Sequence, residues 1–122
     1  MILADTSVWI DHLRRGDSAL AGLLDTQRVL THPFVVGELA LGFLRQRAVV
    51  LGALRSLPQA ITAKDDEVFG FIESRALFGQ GIGYMDAHLL ASVTLTPGTL
   101  FWTRERQLRA VAKRLGFHAD LA

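Results

Sequence analysis

Short apolar runs alternate along this chain with longer segments that have the periodicity of amphipathic helices. The first run, Ile2-Leu3-Ala4, contains no polar residue, which is typical of strands buried on both faces of a parallel sheet. Further short segments that contain apolar residues and are candidate strands lie at 28–31, 60–62, 99–102 and 117–121. Because parallel strands need a crossover connection, usually a helix, this alternation predicts an α/β fold with a largely parallel sheet.

The segments between these runs are predicted to be helical. Ser18 is a favourable N-cap, Pro33 is suited to the first turn of a helix, and Gly116 is suited to end the last one. The predicted helices lie at 6–13, 18–25, 33–44, 47–55, 64–78, 84–95 and 104–115.

The length of 122 residues predicts a single domain over 1–122. The chain has no cysteine, which excludes disulfides, thiolate zinc sites and thiol catalysis. It begins without a basic leader, and no apolar run approaches the roughly 20 residues of a membrane span. We therefore expect a soluble, cytoplasmic protein.

Acidic residues occur where predicted strands end and within apolar helical stretches. Asp5 follows the first strand directly, and Glu105 follows the strand at 99–102. Asp86 shares a helical face with apolar residues, and Glu38 lies in an apolar helical stretch. Because α/β proteins place their sites at the carboxyl ends of the strands, these four acids are candidates for one site.

Each acid alone also has a structural interpretation. Asp5, Asp86 and Glu105 stand at helix starts, where acids are common, and Glu38 could pair with Arg45. Together, however, converging carboxylates about 4 Å apart repel by about 4 kcal/mol unless they hold protons or bind a cation. Oxygen ligands suit Mg²⁺, with Mn²⁺ as a substitute. Such a cation can activate water and stabilise a phosphodiester transition state, which indicates a nuclease.

Three segments resemble the motifs of the PIN-domain family and, more narrowly, of the VapC toxins of bacterial VapBC toxin–antitoxin pairs. The opening ILADTSVWID, residues 2–11, is the most specific of them. Residues 38–42, ELALG, resemble the second acidic motif, and residues 82–91, IGYMDAHLLA, resemble the third. The order of the motifs and the chain length match as well, so the resemblance covers nearly the whole chain.

The resemblance implies a three-layer α/β/α sandwich around a parallel sheet of roughly five strands, and a Mg²⁺-dependent endoribonuclease. It implies that Asp5 and Asp86 are the main metal ligands. Glu38 would either coordinate the metal as well or act through a bound water. Ser7 would support the site by hydrogen bonding.

The chain departs from the family at the fourth acid. That residue usually belongs to a Thr-x-Asp motif, whereas this chain has Thr103-Arg104-Glu105. The longer side chain of Glu105 puts direct ligation in question, and action through water, or on a second metal, is the alternative. Thr103 is expected to orient the site through its hydroxyl.

The resemblance also implies protein partners. VapC-like proteins form homodimers and are inhibited by a VapB antitoxin, whose tail lies across the site in a toxin–antitoxin hetero-oligomer. The helices at 33–55, together with Trp9, are apolar enough to form either surface, or to belong to the core.

The formal net charge is only +1, but basic residues are concentrated in the last helix. We expect Arg104, Arg106 and Arg109 to contact RNA phosphates. The alternative function is a non-catalytic nucleic-acid-binding module that uses this helix. Other classes lack their signatures: there is no P-loop or Gly-x-Ser-x-Gly motif, and the histidines are not spaced as metal ligands.

Overall fold

The structure is a computed structural model that describes residues 1–122. Three strands and seven helices follow one another in the order β1-α1-α2-β2-α3-α4-α5-α6-β3-α7. Their bounds are β1 Ile2–Ala4, α1 Thr6–Arg15, α2 Ser18–Asp25, β2 Val29–Leu30, α3 Pro33–Ala40, α4 Arg47–Ser56, α5 Asp65–Ser74, α6 Tyr84–Leu95, β3 Leu100–Trp102 and α7 Arg106–Arg114.

The sheet is parallel throughout, with β1 between β2 and β3. Ala4 pairs with Trp102 across the β1–β3 ladder, so the residues that follow both strands emerge side by side. Leu3 and Ala4 point to opposite faces of the sheet, and both are fully buried. Both faces of the sheet are therefore covered, and the α/β fold with a parallel sheet is confirmed.

The expectation of five strands is wrong, because the sheet has three. The segments at 60–62 and 117–121 do not form strands, although the chain meets one sheet edge just before the first segment and the other edge within the second. Gln59 makes an isolated parallel bridge to Thr31, and His118 makes one to Phe101. The neighbouring strands β2 and β3 are only two and three residues long, so they offer little backbone for a further ladder.

The helices differ from the prediction mainly at their ends. α3 stops at Ala40 rather than near residue 44, and α5 stops at Ser74 rather than near residue 78. α7 begins at Arg106, with Glu105 as its N-cap residue, rather than at 104. α6 lies at the centre of the packing, since residues 87–93 are all buried. No helix combines the length and apolar character that a bilayer span requires.

A buried histidine caps α3, the helix that carries Glu38. The amide of Phe34 donates to His32 Nδ1 at 3.0 Å, and His32 Nε2 lies 3.1 Å from the Ser92 hydroxyl. Because Nδ1 accepts a hydrogen bond, the neutral ring carries its proton on Nε2 and donates to Ser92. Burial, and secondarily the nearby His88, lower the pKa of His32 to about 4.

This cap predicts a loss of stability on mild acidification. Between pH 6.5 and about 4, His32 is protonated in the unfolded chain but not in the folded protein. The free energy of unfolding therefore decreases as the pH is lowered through this range. The full loss is about 3 kcal/mol. Urea denaturation at several pH values should show it. His32→Asn, which retains a capping oxygen, should flatten the dependence, and an unchanged slope in that variant would assign the effect to other groups.

Candidate active site

Asp5 follows β1 directly and caps the N-terminus of α1. Its Oδ1 accepts hydrogen bonds from the amides of Ser7 at 3.0 Å and Val8 at 3.4 Å. The side chain is almost wholly buried, and burial raises its pKa against the opposing effect of these hydrogen bonds. The predicted position at the strand end is thus correct, and the capping interpretation holds at the same time.

Two hydroxyl groups hold the Asp5 carboxylate from either side. The Ser7 hydroxyl donates to Oδ1 at 2.5 Å, and the Thr103 hydroxyl donates to Oδ2 at 2.5 Å. Thr103 can reach Asp5 because it follows β3, the strand that pairs with β1. The expected supporting contacts of Ser7 and Thr103 are therefore present in the structure.

Asp86 lies in the first turn of α6. Its Oδ2 accepts a hydrogen bond from the amide of Gly83 at 3.1 Å, so this acid also caps its helix. The other oxygen, Oδ1, makes no hydrogen bond within the protein, which leaves it available to a ligand. Asp86 borders a cleft of about 570 Å³ that Glu105 borders as well.

The cleft lies between the loop before α6 and the start of α7. Gly81 has a positive φ of 78°, and a Cβ there would come within 2.7 Å of the Gln107 side chain. The positive φ favours glycine here, whereas the contact with the flexible end of Gln107 could be relieved by a movement of that side chain. The lining residues are Gly81, Ile82, Asp86, Glu105, Arg106, Gln107 and Leu108.

Glu38 lies on the exposed side of α3, and the ion pair with Arg45 is not formed. Burial raises the pKa of Glu38, and the charges of Asp86 and Asp5 raise it further. The Thr6 hydroxyl lies close to Glu38 and opposes this rise in pKa. Thr6 was not among the site residues predicted from the sequence. Its position directly after Asp5 is the feature of the sequence that could have indicated it.

Glu105 occupies the N-cap position of α7, and its side chain makes no capping hydrogen bond. Its amide donates to the Thr103 hydroxyl at 3.1 Å, which ties it to the same group that holds Asp5. Burial raises the pKa of Glu105, followed by the charges of Asp86, Asp5 and Glu38. Its carboxyl therefore lies within the electrostatic reach of the other three.

The four acids come from four separate segments of the chain and form one electrostatically coupled group, the acid cluster: Asp5, Glu38, Asp86 and Glu105. No three acidic or histidine side chains are arranged so that they could hold a metal ion as they stand. Ligation would require side-chain rotation. The donor chemistry nevertheless fits a hard divalent cation, because the ligands are carboxylate oxygens and their charges repel.

The three arginines expected to bind RNA have different surroundings. Arg106 is exposed and borders the cleft beside the acid cluster. Arg109 is half-buried and donates to the carbonyl of Leu121 at 3.2 Å. Arg104 is ion-paired with two aspartates, so Arg106 is the cation best placed to meet a phosphate.

An apolar groove lies between α1 and the connection from α3 to α4, next to Glu38. Its volume is about 560 Å³, and its wall includes Ile10, Leu13, Phe43 and Val50. Phe43 is fully exposed, as is most of Leu41 beside it. Trp9, by contrast, is 3% exposed and belongs to the core.

Comparison with known proteins identifies a match to the PIN domain over residues 2–114, a range that includes all four acids. Ribonuclease VapC32 of Mycobacterium tuberculosis, in strains CDC 1551 / Oshkosh and ATCC 25618 / H37Rv, is 47% identical to this chain over 116 residues. The alignment covers 95% of this chain and 94% of the relative.

Proposed function

Because the chain belongs to the PIN-domain family, and within it to the VapC type, we propose that it is the ribonuclease toxin of a toxin–antitoxin pair. The activity is hydrolysis of RNA phosphodiester bonds in the cytoplasm by a single PIN domain over 1–122. The observation that carries the proposal is the acid cluster, in which the charges of Asp5 and Asp86 raise the pKa of both Glu38 and Glu105.

The proposed cofactor is Mg²⁺, held by Asp5 and Asp86. When bound, the cation supplies an activated water and neutralises charge on the phosphodiester. Each of these two carboxylates has an oxygen with spare acceptor capacity: Asp5 Oδ2 accepts one hydrogen bond and Asp86 Oδ1 accepts none. Each of these carboxylates also caps a helix through its other oxygen.

The other two acids serve the attacking water. Glu38 and Glu105 are more exposed than Asp5, and both have raised pKa values. A carboxylate with a raised pKa accepts a proton more readily, which suits a general base. Glu105 reaches further than an aspartate would, so we assign it to hydrogen bonding with water rather than to direct ligation.

The substrate and the protein partners follow from the surroundings of the cluster. Arg106 is proposed to contact an RNA phosphate from the cleft beside Asp86. The apolar groove next to Glu38 is proposed to receive a VapB-like antitoxin, which would obstruct access to the cluster. A homodimer and a toxin–antitoxin hetero-oligomer complete the proposed assembly.

A cleavage assay tests this function directly. Purified protein is incubated with end-labelled RNA and Mg²⁺ and compared with Asp86→Asn and with Asp66→Asn, which changes an exposed acid in the first turn of α5. We expect the wild type and Asp66→Asn to cleave alike and Asp86→Asn to lose at least about a hundredfold, because a metal ligand is removed. RNA binding without cleavage by the wild type would instead favour the non-catalytic module.

A further inference from the structure

Arg104 stands between two residues of the site, Thr103 and Glu105, but its side chain turns away to other partners. Its guanidinium donates from Nη1 to Asp11 at 2.8 Å and from Nη2 to Asp17. Nε donates to the carbonyl of Ala122 at 3.1 Å. Every nitrogen of the guanidinium is thus engaged, and its side chain is 24% exposed.

The positive charge of Arg104 is compensated by adjacent carboxylates. Two carboxylates face one guanidinium, and the ion pair with Arg104 holds the pKa of Asp17 below its usual range. The guanidinium also lies over the Trp102 ring, 5.2 Å from its centroid, which fixes its plane. An arginine in this setting would have to give up two ion pairs before it could bind a phosphate.

The backbone of Arg104 reaches the acid cluster. Its amide donates to the Ser7 hydroxyl at 2.9 Å, and that hydroxyl donates to Asp5. The next amide, of Glu105, donates to the Thr103 hydroxyl, which also donates to Asp5. The turn from 103 to 105 therefore contains both amides that hydrogen-bond to the hydroxyl groups supporting Asp5, and also the fourth acid, Glu105.

Glu105 depends on this turn for its position. Its side chain makes no capping hydrogen bond to α7, so the carboxyl is placed by the backbone alone. Asp11 belongs to α1, and Asp17 is the N-cap residue of α2. Ion pairs from Arg104 to these two aspartates anchor the turn against α1 and α2.

We propose that Arg104 is a positioning residue: its ion pairs with Asp11 and Asp17 hold the 103–105 turn so that Thr103 and Glu105 stay aligned with Asp5. Arg104 acts on catalysis through this turn and does not contact RNA. This inference rests on the proposed ribonuclease function for its catalytic consequence. Its structural consequence, a turn held by remote aspartates, can be measured without any activity.

The test uses the aspartates, which lie outside the acid cluster. Asp17→Asn keeps an N-cap for α2 while removing the charge, and Asp11→Asn removes the other ion pair. We expect Arg104→Gln to lower kcat about tenfold with KM unchanged, because the acids are misaligned. The Asp11→Asn/Asp17→Asn pair should reproduce this loss, adding Arg104→Gln to it should cost nothing more, and Arg104→Lys should restore part of kcat.

Salt dependence distinguishes positioning from RNA contact. Arg106→Gln is the matched comparison. It is expected to raise KM and to reduce the slope of log affinity against log salt by the amount that corresponds to the loss of about one phosphate contact. Arg104→Gln should leave that slope unchanged. A flattened slope in Arg104→Gln, or unchanged kcat in Asp11→Asn/Asp17→Asn, would overturn the proposal. If the double variant does not fold, the same comparison applies to Asp17→Asn alone.

Hydrogen exchange separates this proposal from the proposed function. The amides of Arg104 and Glu105 should exchange about tenfold faster in Asp11→Asn/Asp17→Asn than in the wild type, since their hydrogen bonds depend on the anchored turn. Unchanged exchange refutes the anchoring even if the enzyme is active. A wild-type protein that fails to cleave RNA refutes the ribonuclease function, while faster exchange in the variant still supports the anchored turn.

Discussion

Asp5→Asn is expected to fold like the wild-type protein and to lose about a thousandfold in kcat, which corresponds to about 4 kcal/mol of transition-state stabilisation. The two oxygens of Asp5 have separate tasks. Oδ1 accepts the capping amides and the Ser7 hydroxyl, whereas Oδ2 accepts only the Thr103 hydroxyl. Oδ2 thus keeps a lone pair for a cation.

The side-chain amide in this variant can perform the first task but not the second. Its oxygen retains the cap, and its nitrogen takes the place of Oδ2, where the Thr103 hydroxyl can accept a hydrogen bond instead of donating one. The amide nitrogen has no lone pair to offer a cation. Since asparagine caps helices about as well as aspartate, we expect the free energy of unfolding to change by less than about 1 kcal/mol.

Two further variants control this experiment. Asp5→Ala removes the acceptor altogether and should cost about 2 kcal/mol or more, because Ser7 and Thr103 lose their partner. Asp25→Asn changes an exposed aspartate at the end of α2 and should alter neither quantity. The measurements are kcat with a defined RNA and the free energy of unfolding from urea denaturation, for each of the three variants and the wild type. A well-folded Asp5→Asn protein with activity within about tenfold of the wild type would remove Asp5 from the proposed ligands.

The residues at the centre of the fold are the ones that sequence predicts well. β1 is short, wholly apolar and followed at once by Asp5, and each of these properties is local. Its central place in the parallel sheet fixes where Asp5 emerges. The edge segments are harder to predict because a ladder extends only as far as the neighbouring strand offers backbone to pair with. Thr62 and its neighbours favour strand conformation, but beside the two-residue β2 they pair only at Gln59.

Interactions between distant residues account for the rest of what sequence could not predict. The only visible partner for Glu38 was Arg45, seven positions away, whereas the structure places Glu38 within reach of Asp86 and Asp5. The sequence pattern assigns Arg104 to a basic helix face, yet its partners Asp11 and Asp17 lie 93 and 87 residues away along the chain. Such pairs depend on how the strands and helices pack, which propensity and periodicity do not specify.

Removal of divalent cations is expected to abolish cleavage, and Mg²⁺ at millimolar concentration should restore it. The protein does not neutralise the acid cluster, since none of its four carboxylates takes part in a salt bridge. Binding of a cation should also stabilise the fold. At ten times the dissociation constant the gain is about 1.4 kcal/mol, or a rise in Tm of about 5 °C.

The pH dependence of this stabilisation follows from the raised pKa values. In the metal-free protein Asp5, Glu38 and Glu105 hold protons to higher pH than the unfolded chain does. The metal-free fold therefore loses stability as pH rises above the ordinary carboxyl values of 3.8 and 4.5. His32 has the opposite trend, but it contributes equally with and without Mg²⁺. The difference in Tm between the two conditions isolates the acids.

That difference should grow from pH 4.5 to pH 7.5, because a cation and protons compete for the same carboxylates. In Asp5→Asn/Asp86→Asn it should vanish, since both proposed ligands are gone, while Asp25→Asn should keep it in full. Thermal denaturation with EDTA and with Mg²⁺ at each pH provides the measurement. A rise in Tm that persists in the double variant would place the cation elsewhere on the protein. Cleavage that survives EDTA would contradict the proposed role of the cation in the reaction.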